Sequence, residues 1–338
     1  MGHGSRRKGI SMLNKKIIEI AEKIINRREA ISYEDACELA HLPQSETIDL
    51  LFSAHKIKKR FKNNNTILCS IVNAKSGFCS EDCAFCAQSS HHKTEIKTYD
   101  LMQEEEMIQN AMQFKKNGAT RYSMVTSGYM LTDKDIDTIC RSTEAIVQKT
   151  DLTVCASLGM LTQSRARRLK EGGTSVYHHN LETARSFFDQ VCTTHDYDED
   201  IETVKLAKSS GMKACSGGIL GLGETWEQRV ELAFTLKDLD VDGIPINFLN
   251  PIAGTKMADR PLLAPFDALK CIALFRCINP DKDILICGGR EVTLRDYQSW
   301  IMFAGASGFM IGNYLTTQGR NITMDMDMLK DYQANSGQ

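Results

Sequence analysis

Thr66-Ile67-Leu68-Cys69-Ser70-Ile71-Val72 is where the chain changes period. The run is short, apolar and β-branched, as a strand buried in a parallel sheet is. Upstream, Ile17, Ile18, Ala21, Ile24 and Ile25, then Ile48, Leu51, Ala54, Ile57 and Phe61, recur at helical spacing, so 12–63 predicts helices. Ser32 and Asp35 are spaced as a capping box, Pro43 separates the second helix from the third, and the polar stretch 58–65 predicts a surface link. Downstream, further β-rich runs follow at 122–126, 152–156, 175–179, 213–220, 244–249, 284–287 and 309–311. Between them lie helix-like stretches such as 101–117 and 200–210, ended by Gly118 and Gly211. Eight strands alternating with helices over about 250 residues predict an α/β protein with a parallel (β/α)8 TIM barrel. An open doubly wound sheet would be marked by G-x-G-x-x-G opening the first helix, and that motif is missing here. The expected organisation is a helical segment, 1–63, packed on a barrel, 64–338, that ends in a helical tail.

Charge narrows the partners. Lys and Arg number 41 against 43 Asp and Glu, a net −2 over 338 residues, which makes no electrostatic case for nucleic acid or an anionic membrane. No apolar run approaches the roughly 18 residues of a membrane span, and no apolar signal core follows Arg6-Arg7-Lys8. The opening Met-Gly-His-Gly-Ser reads as an expression scar, with Met12 a native start. Twelve cysteines without an export signal read as cytoplasmic, reduced thiols rather than a disulfide framework.

The loop after the first strand reads Gly77-Phe78-Cys79-Ser80-Glu81-Asp82-Cys83-Ala84-Phe85-Cys86, a C-x3-C-x2-C motif on the face where barrels place their sites. Three thiolates are one short of a closed zinc site, unless His91 or His92 supplies the fourth ligand. A ferredoxin-type cluster would want a fourth Cys near by, and Ala87-Gln88-Ser89 offers none. A [4Fe-4S] cluster on three thiolates keeps one iron open for a further ligand.

This motif, with an aromatic before its last Cys, resembles the signature of the radical S-adenosylmethionine (SAM) superfamily. Further stretches resemble the biotin synthase family within it: Asn73-Ala74-Lys75-Ser76-Gly77, Cys86-Ala87-Gln88-Ser89-Ser90, Tyr177-His178-His179-Asn180-Leu181-Glu182-Thr183 and Cys215-Ser216-Gly217-Gly218-Ile219-Leu220-Gly221-Leu222-Gly223-Glu224. Ile244-Pro245-Ile246-Asn247-Phe248-Leu249 and Gly312-Asn313-Tyr314-Leu315-Thr316-Thr317 belong with them, and the resemblance runs from about residue 30 to the C-terminus. It implies a radical SAM barrel in which Cys79, Cys83 and Cys86 hold a [4Fe-4S] cluster. There SAM is cleaved to methionine and a 5′-deoxyadenosyl radical that removes hydrogen from dethiobiotin, and inserted sulfur closes the ring of biotin. By the same resemblance Phe85 lies beside adenine, Asn180 and Glu182 hold ribose and substrate from one strand face, and the backbone around Ile219 runs along adenine. Asn247 contacts dethiobiotin, and Thr316 and Thr317 take its carboxylate tail. A flavodoxin or ferredoxin as electron donor and a homodimer are further family expectations.

Two departures concern the second cluster, which the family uses as sulfur donor and holds as [2Fe-2S] on three strand cysteines and one arginine. Cys155 and Cys215 match two of these ligands, but the third position is Ser123 and the arginine position is Leu285. Cys287 stands two residues beyond Leu285, where alternation along a strand keeps the same face. Either the auxiliary cluster is lost and other radical chemistry replaces it, as in hydrogenase maturases or methylornithine synthase, or Cys155, Cys215 and Cys287 hold a different auxiliary cluster of four-iron type. The intact substrate-side motifs favour the second. Cys69 is a weaker candidate, Cys192 is unassigned, and Cys37, Cys140, Cys271 and Cys277 fall in helix-like stretches as core residues. His178 and Glu182 also depart from the family pattern at their positions, which is commonly Asn-His-Asn-Leu followed by Asp or Asn.

Overall fold

The computed structural model describes residues 14–62 and 66–335. The stretch read as an expression scar, Met12 and residues 63–65 of the expected link lie outside them. Three helices come first: α1 (Lys15–Glu22), α2 (Tyr33–Ala40) and α3 (Thr47–Phe61). Asn14 caps α1 by accepting the N–H groups of Lys16 and Ile17. Ser32 caps α2 by accepting from the Asp35 N–H, half of the predicted capping box. Helix α3 continues into the expected link as far as Phe61, and Lys58 is buried with its Nζ 3.3 Å from the Tyr332 hydroxyl. Its lysine-rich end read as solvated, but the stem of Lys58 covers apolar surface.

The barrel then alternates β1 (Ile67–Lys75), α4 (Glu104–Lys116), β2 (Arg121–Thr126), α5 (Asp133–Lys149), β3 (Thr153–Ser157), α6 (Gln163–Glu171), β4 (Val176–His178) and α7 (Tyr197–Ser209). It continues with β5 (Lys213–Cys215), β6 (Gly218–Leu220), α8 (Trp226–Asp238), β7 (Gly243–Phe248), α9 (Pro265–Ile278), β8 (Asp283–Ile286), α10 (Arg290–Leu294), β9 (Gly308–Met310) and α11 (Ile322–Asn335). All pairings between these strands are parallel. β5 and β6 both pair with β7 and are the halves of the one strand expected at 213–220. The break falls at Ser216-Gly217, where a Cβ on Gly217 would lie 1.9 Å from the Pro245 carbonyl oxygen. Counted so, eight strands close into a ring, with β1 between β2 and β9.

Alternation divides each strand between two cores. Tyr122 and Met124 of β2 face outward, and the Tyr122 hydroxyl donates to the Met107 carbonyl of α4. Ser123 between them lines the bore. The N-terminal helices pack on the outer ring, α3 against α9 and α2 against α8 and α9. No helix among the described residues is long and apolar enough to cross a membrane.

Candidate active site

The C-x3-C-x2-C loop leaves β1 through Gly77 and Phe78, both with positive φ, and a Cβ on Gly77 would meet Thr98 at 2.4 Å. The loop is then tied to itself: the Cys79 N–H donates to the Gln88 carbonyl at 3.1 Å and the Ser90 N–H to the Cys79 carbonyl at 2.8 Å. Asp82 anchors it to the next wall, accepting from the Thr193 N–H at 2.8 Å, the Thr193 hydroxyl at 2.8 Å and Lys256 Nζ at 3.1 Å. The imidazoles of His91 and His92 lie against the Ser80 and Cys86 carbonyls, at 2.9 and 2.8 Å. Among the described residues neither joins a group of three metal-ligating side chains.

Inside the barrel mouth is a cavity of about 410 Å³ lined by Cys83, Phe85, Cys86, Asn180, Glu182, Ile219, Asn247, Thr316 and Thr317, with Cys155 and Cys287 deeper in the bore. Cys79 joins Cys83 and Cys86 around an adjoining cavity of about 200 Å³. The fold therefore gathers nearly every predicted site residue. Two placements differ from expectation. Asn180 and Glu182 lie beyond the end of β4, not on it, and Glu182 has φ 59°, bridging to Gly218 instead of continuing the strand. Cys287 is one residue past β8, though its N–H still donates to the Ile246 carbonyl at 2.9 Å and so extends the ladder.

Deeper still, Cys69, Cys155, Cys215 and Cys287 pack with Val176 and Leu285 in one buried cluster. The sequence placed Cys69 in the first strand as a weaker candidate than the other three, and the structure puts it among them. Burial pushes all four thiols up, Cys69 to about 11. Among the described residues no three of these sulfurs lie within 4.8 Å of one another. A single ion, with Zn–S near 2.3 Å, would need a narrower pocket.

Burial, and then Asp200, push the Glu182 carboxyl up to about 8, whereas burial and then Arg121 push His178 down to about 4. Both shifts favour the neutral form of the side chain. His178 Nε2, Ser123 Oγ and Thr126 Oγ1 are buried in this bore without a hydrogen-bond partner in the protein. Polar atoms so placed suit a cavity built for polar ligands.

Residues 74–236 match the radical SAM superfamily, and 245–335 match the biotin and thiamin synthesis associated domain. The biotin synthase of Syntrophus aciditrophicus (strain SB) is 58% identical over 320 residues, covering 94% of this chain and 98% of that one. That of Geotalea uraniireducens (strain Rf4) is 52% identical over 310 residues, covering 91% and 94%. The chain belongs to the biotin synthase family.

It is thus a radical SAM enzyme, whose superfamily brings a [4Fe-4S] cluster and SAM. Among solved structures, methylornithine synthase superposes with a TM-score of 0.80 over 93% of this chain and 96% of that one. The FeFe-hydrogenase maturase HydG from Carboxydothermus hydrogenoformans gives 0.78 over 94% and 78%. At 17% and 18% identity these likenesses show the barrel fold alone.

Two site features escaped the sequence reading. The motif Gly217-x-Ile219-x-Gly221-x-x-Glu224 uses its acid for the turn: Glu224 accepts from the N–H groups of Gly221 and Gly223 and pairs with Arg229 Nε at 2.7 Å. Cys192, unassigned from sequence, is buried with its Sγ 3.7 Å from that of Cys83 and 3.3 Å from His195 Nδ1. Burial opposes a charge on His195, but Asp200, Cys192 and Glu81 outweigh it and push the imidazole up to about 11. The three-cysteine loop therefore has a fourth thiol beside it. Its only sequence signal was a Cys before Thr193-Thr194, the two residues that hold Asp82 and Glu81.

Proposed function

We propose that this enzyme converts dethiobiotin to biotin by radical sulfur insertion, with the sulfur drawn from an auxiliary iron–sulfur cluster on Cys155, Cys215 and Cys287. The observation that carries the reading is the buried thiol pocket at the floor of a cavity walled by Asn180, Glu182 and Asn247. Cys79, Cys83 and Cys86 are the ligands for the [4Fe-4S] cluster, which with SAM supplies the 5′-deoxyadenosyl radical.

The chain's own work is placement and exclusion of water. Phe85 offers an aromatic wall and Ile219 an apolar one on the same cavity. Glu182, its protonated form favoured by burial, can donate a hydrogen bond as well as accept one. The Asn247 amide is held by the Gly288 N–H donating to its Oδ1 at 2.8 Å, with its Nδ2 at 3.4 Å from the Gly218 carbonyl. Held there, it lines the cavity. Thr316 and Thr317 supply hydroxyls for the carboxylate tail. Leu285 cannot ligate iron and a neutral Ser123 replaces thiolate poorly, so three convergent thiols suit a four-iron cluster with one unusual corner ligand better than the family's [2Fe-2S] type.

An electron donor of the flavodoxin or ferredoxin class and a homodimer complete the reading, with neither nucleic acid nor membrane as partner. A reducing cytoplasm is supported by the twelve cysteines, none of them in a disulfide. The losses at Ser123 and Leu285 favour one rival, a radical SAM barrel without an auxiliary cluster. Anaerobic reconstitution with iron and sulfide counted beside a dethiobiotin-to-biotin assay separates the two. We expect more iron than one cubane accounts for, together with biotin. A single cluster and no biotin would establish the rival.

A further inference from the structure

The barrel has a second polar opening, at the N-terminal ends of its strands, and it reaches the thiol pocket. A cavity of about 240 Å³ there is lined by Lys62, Arg121, Lys213, Lys282, three aspartates and, at its inner end, Cys215. Lys213 is exposed, so solvent meets the outer part. Cys215 is not among the residues lining the upper cavity, whereas Arg121 lines both. At Cys215 the neighbouring strand offers Gly243, whose missing side chain makes the room: a Cβ there would stand 2.9 Å from the Cys215 sulfur.

Arg121 is the partition between the two spaces. Its guanidinium donates to Asp283 at 2.9 Å, and Asp283 also pairs with Lys62 at 2.6 Å, so a three-residue ion-pair chain spans the opening. Arg121 lines the upper cavity together with Cys69 and Cys155 and the lower one together with Cys215. Of its four cations, Arg121 and Lys62 pair with Asp283 and Lys282 pairs with Asp240, so Lys213 is the lining cation with no ion pair among the described residues and gives the rim its positive charge. A mouth of that sign gathers small anions, and an arginine just inside hands them to the thiols.

We propose that this N-terminal mouth is a second entrance to the thiol pocket, admitting a small inorganic sulfur anion, hydrosulfide, while the upper cavity is filled by SAM and substrate. The inference rests on the auxiliary-cluster reading above. A cluster that gives up sulfur must have it replaced, and the upper route passes through the space that ligands occupy. Delivery itself would need no electrons: hydrosulfide carries sulfur already at the sulfide level and would lose its proton to water on joining a cluster held by Cys155, Cys215 and Cys287.

The test has two arms, both on protein saturated with SAM and dethiobiotin and given no reductant. In the first, protein carrying only the radical cluster is treated with methyl methanethiosulfonate and modification is read by peptide mass spectrometry. We expect Cys287 to be protected at least 10-fold by the ligands and Cys215 to stay reactive. Equal protection of both would overturn the proposal. In the second, uptake of isotopically labelled sulfide into protein is followed for wild type and Lys213→Glu. The variant should slow uptake about 3- to 10-fold at low salt, with the gap closing as salt rises, while neutral-reagent labelling of Cys215 and SAM cleavage are unchanged. Equal uptake rates would also overturn it. If no second cluster forms in either protein, the auxiliary-cluster reading fails, and the first arm still decides whether the entrance exists.

Discussion

Asn247 shows how one residue joins structure to recognition. Its amide is pinned by Gly288, so replacing it removes a positioned partner rather than a mobile one. A buried group that loses its hydrogen bond typically costs about 1–3 kcal/mol, which corresponds to roughly 5- to 150-fold in affinity. Asn247→Ala should therefore weaken dethiobiotin binding within that range; calorimetry showing unchanged affinity would remove Asn247 from the site. Glu182 gives a pH prediction for the ligand-free protein. Its native pKa, about 8, lies above the unfolded value of 4.5, so the native state holds a proton that the unfolded chain releases between them. Its contribution to stability is complete below pH 4.5 and is lost as pH rises through 8. Thermal melts from pH 6 to 9 should show Glu182→Gln gaining on wild type as pH increases, and parallel curves would count against a buried neutral Glu182.

At the scale of elements, the cysteine loop and the end of β8 make separable predictions. Changing Cys79, Cys83 and Cys86 together to Ala should abolish 5′-deoxyadenosine formation and leave the auxiliary cluster, because the two thiol groups sit on different elements. Cys192→Ser, in contrast, should keep the radical cluster, since Cys192 is engaged by His195 and Thr194 beside the loop. Cluster loss in that variant would make it a ligand and the site a closed one. At β8, Cys287→Ala should lose the auxiliary cluster by spectroscopy and iron counting, keep SAM cleavage and form no biotin. If it retains both clusters and makes biotin, Cys69 is the next thiol to change, given its place in the same cluster.

At the scale of the whole molecule, the C-terminal helix is fastened to the barrel by a buried ion pair. Arg290, just after the Gly288-Gly289 turn that lines the cavity, meets Asp325 of α11 at 2.5 Å, and neither side chain is exposed. Arg320 adds a second contact to Asp325 at 3.1 Å. Removing one partner of such a pair leaves a buried charge unmatched, at a cost of about 3–5 kcal/mol. Denaturant unfolding of Asp325→Ala should show a loss of that size, and Asp325→Leu combined with Arg290→Met should recover much of it. A loss below about 1 kcal/mol would mean that Glu291, 3.6 Å from Arg290 Nε, balances the charge while Gln298, 2.5 Å from Nη1, keeps its hydrogen bond.

The barrel was legible because its signals are local and repeated. Eight apolar runs, glycines after helices 101–117 and 200–210, and the C-x3-C-x2-C spacing are each read within a few residues, and the one run that the structure breaks is 213–220, at Ser216-Gly217. The ends of elements were less legible: Glu182 looked like a strand residue until its left-handed backbone, set by contact with Gly218, placed it in a loop. What the chain order could not contain is which distant side chains meet. Cys192 lies 109 residues from Cys83, and only the docking of the 191–195 loop brings the sulfurs together. Cys69 became the equal of Cys155, Cys215 and Cys287 only when ring closure decided which face of β1 points inward. The second mouth is likewise a product of closure, since Arg121, Cys215 and Asp283 come from three strands. Local chemistry and periodicity were written in the sequence; convergence, burial and the pKa values that follow from it belong to the tertiary structure, because they depend on pairs of residues that no short window contains.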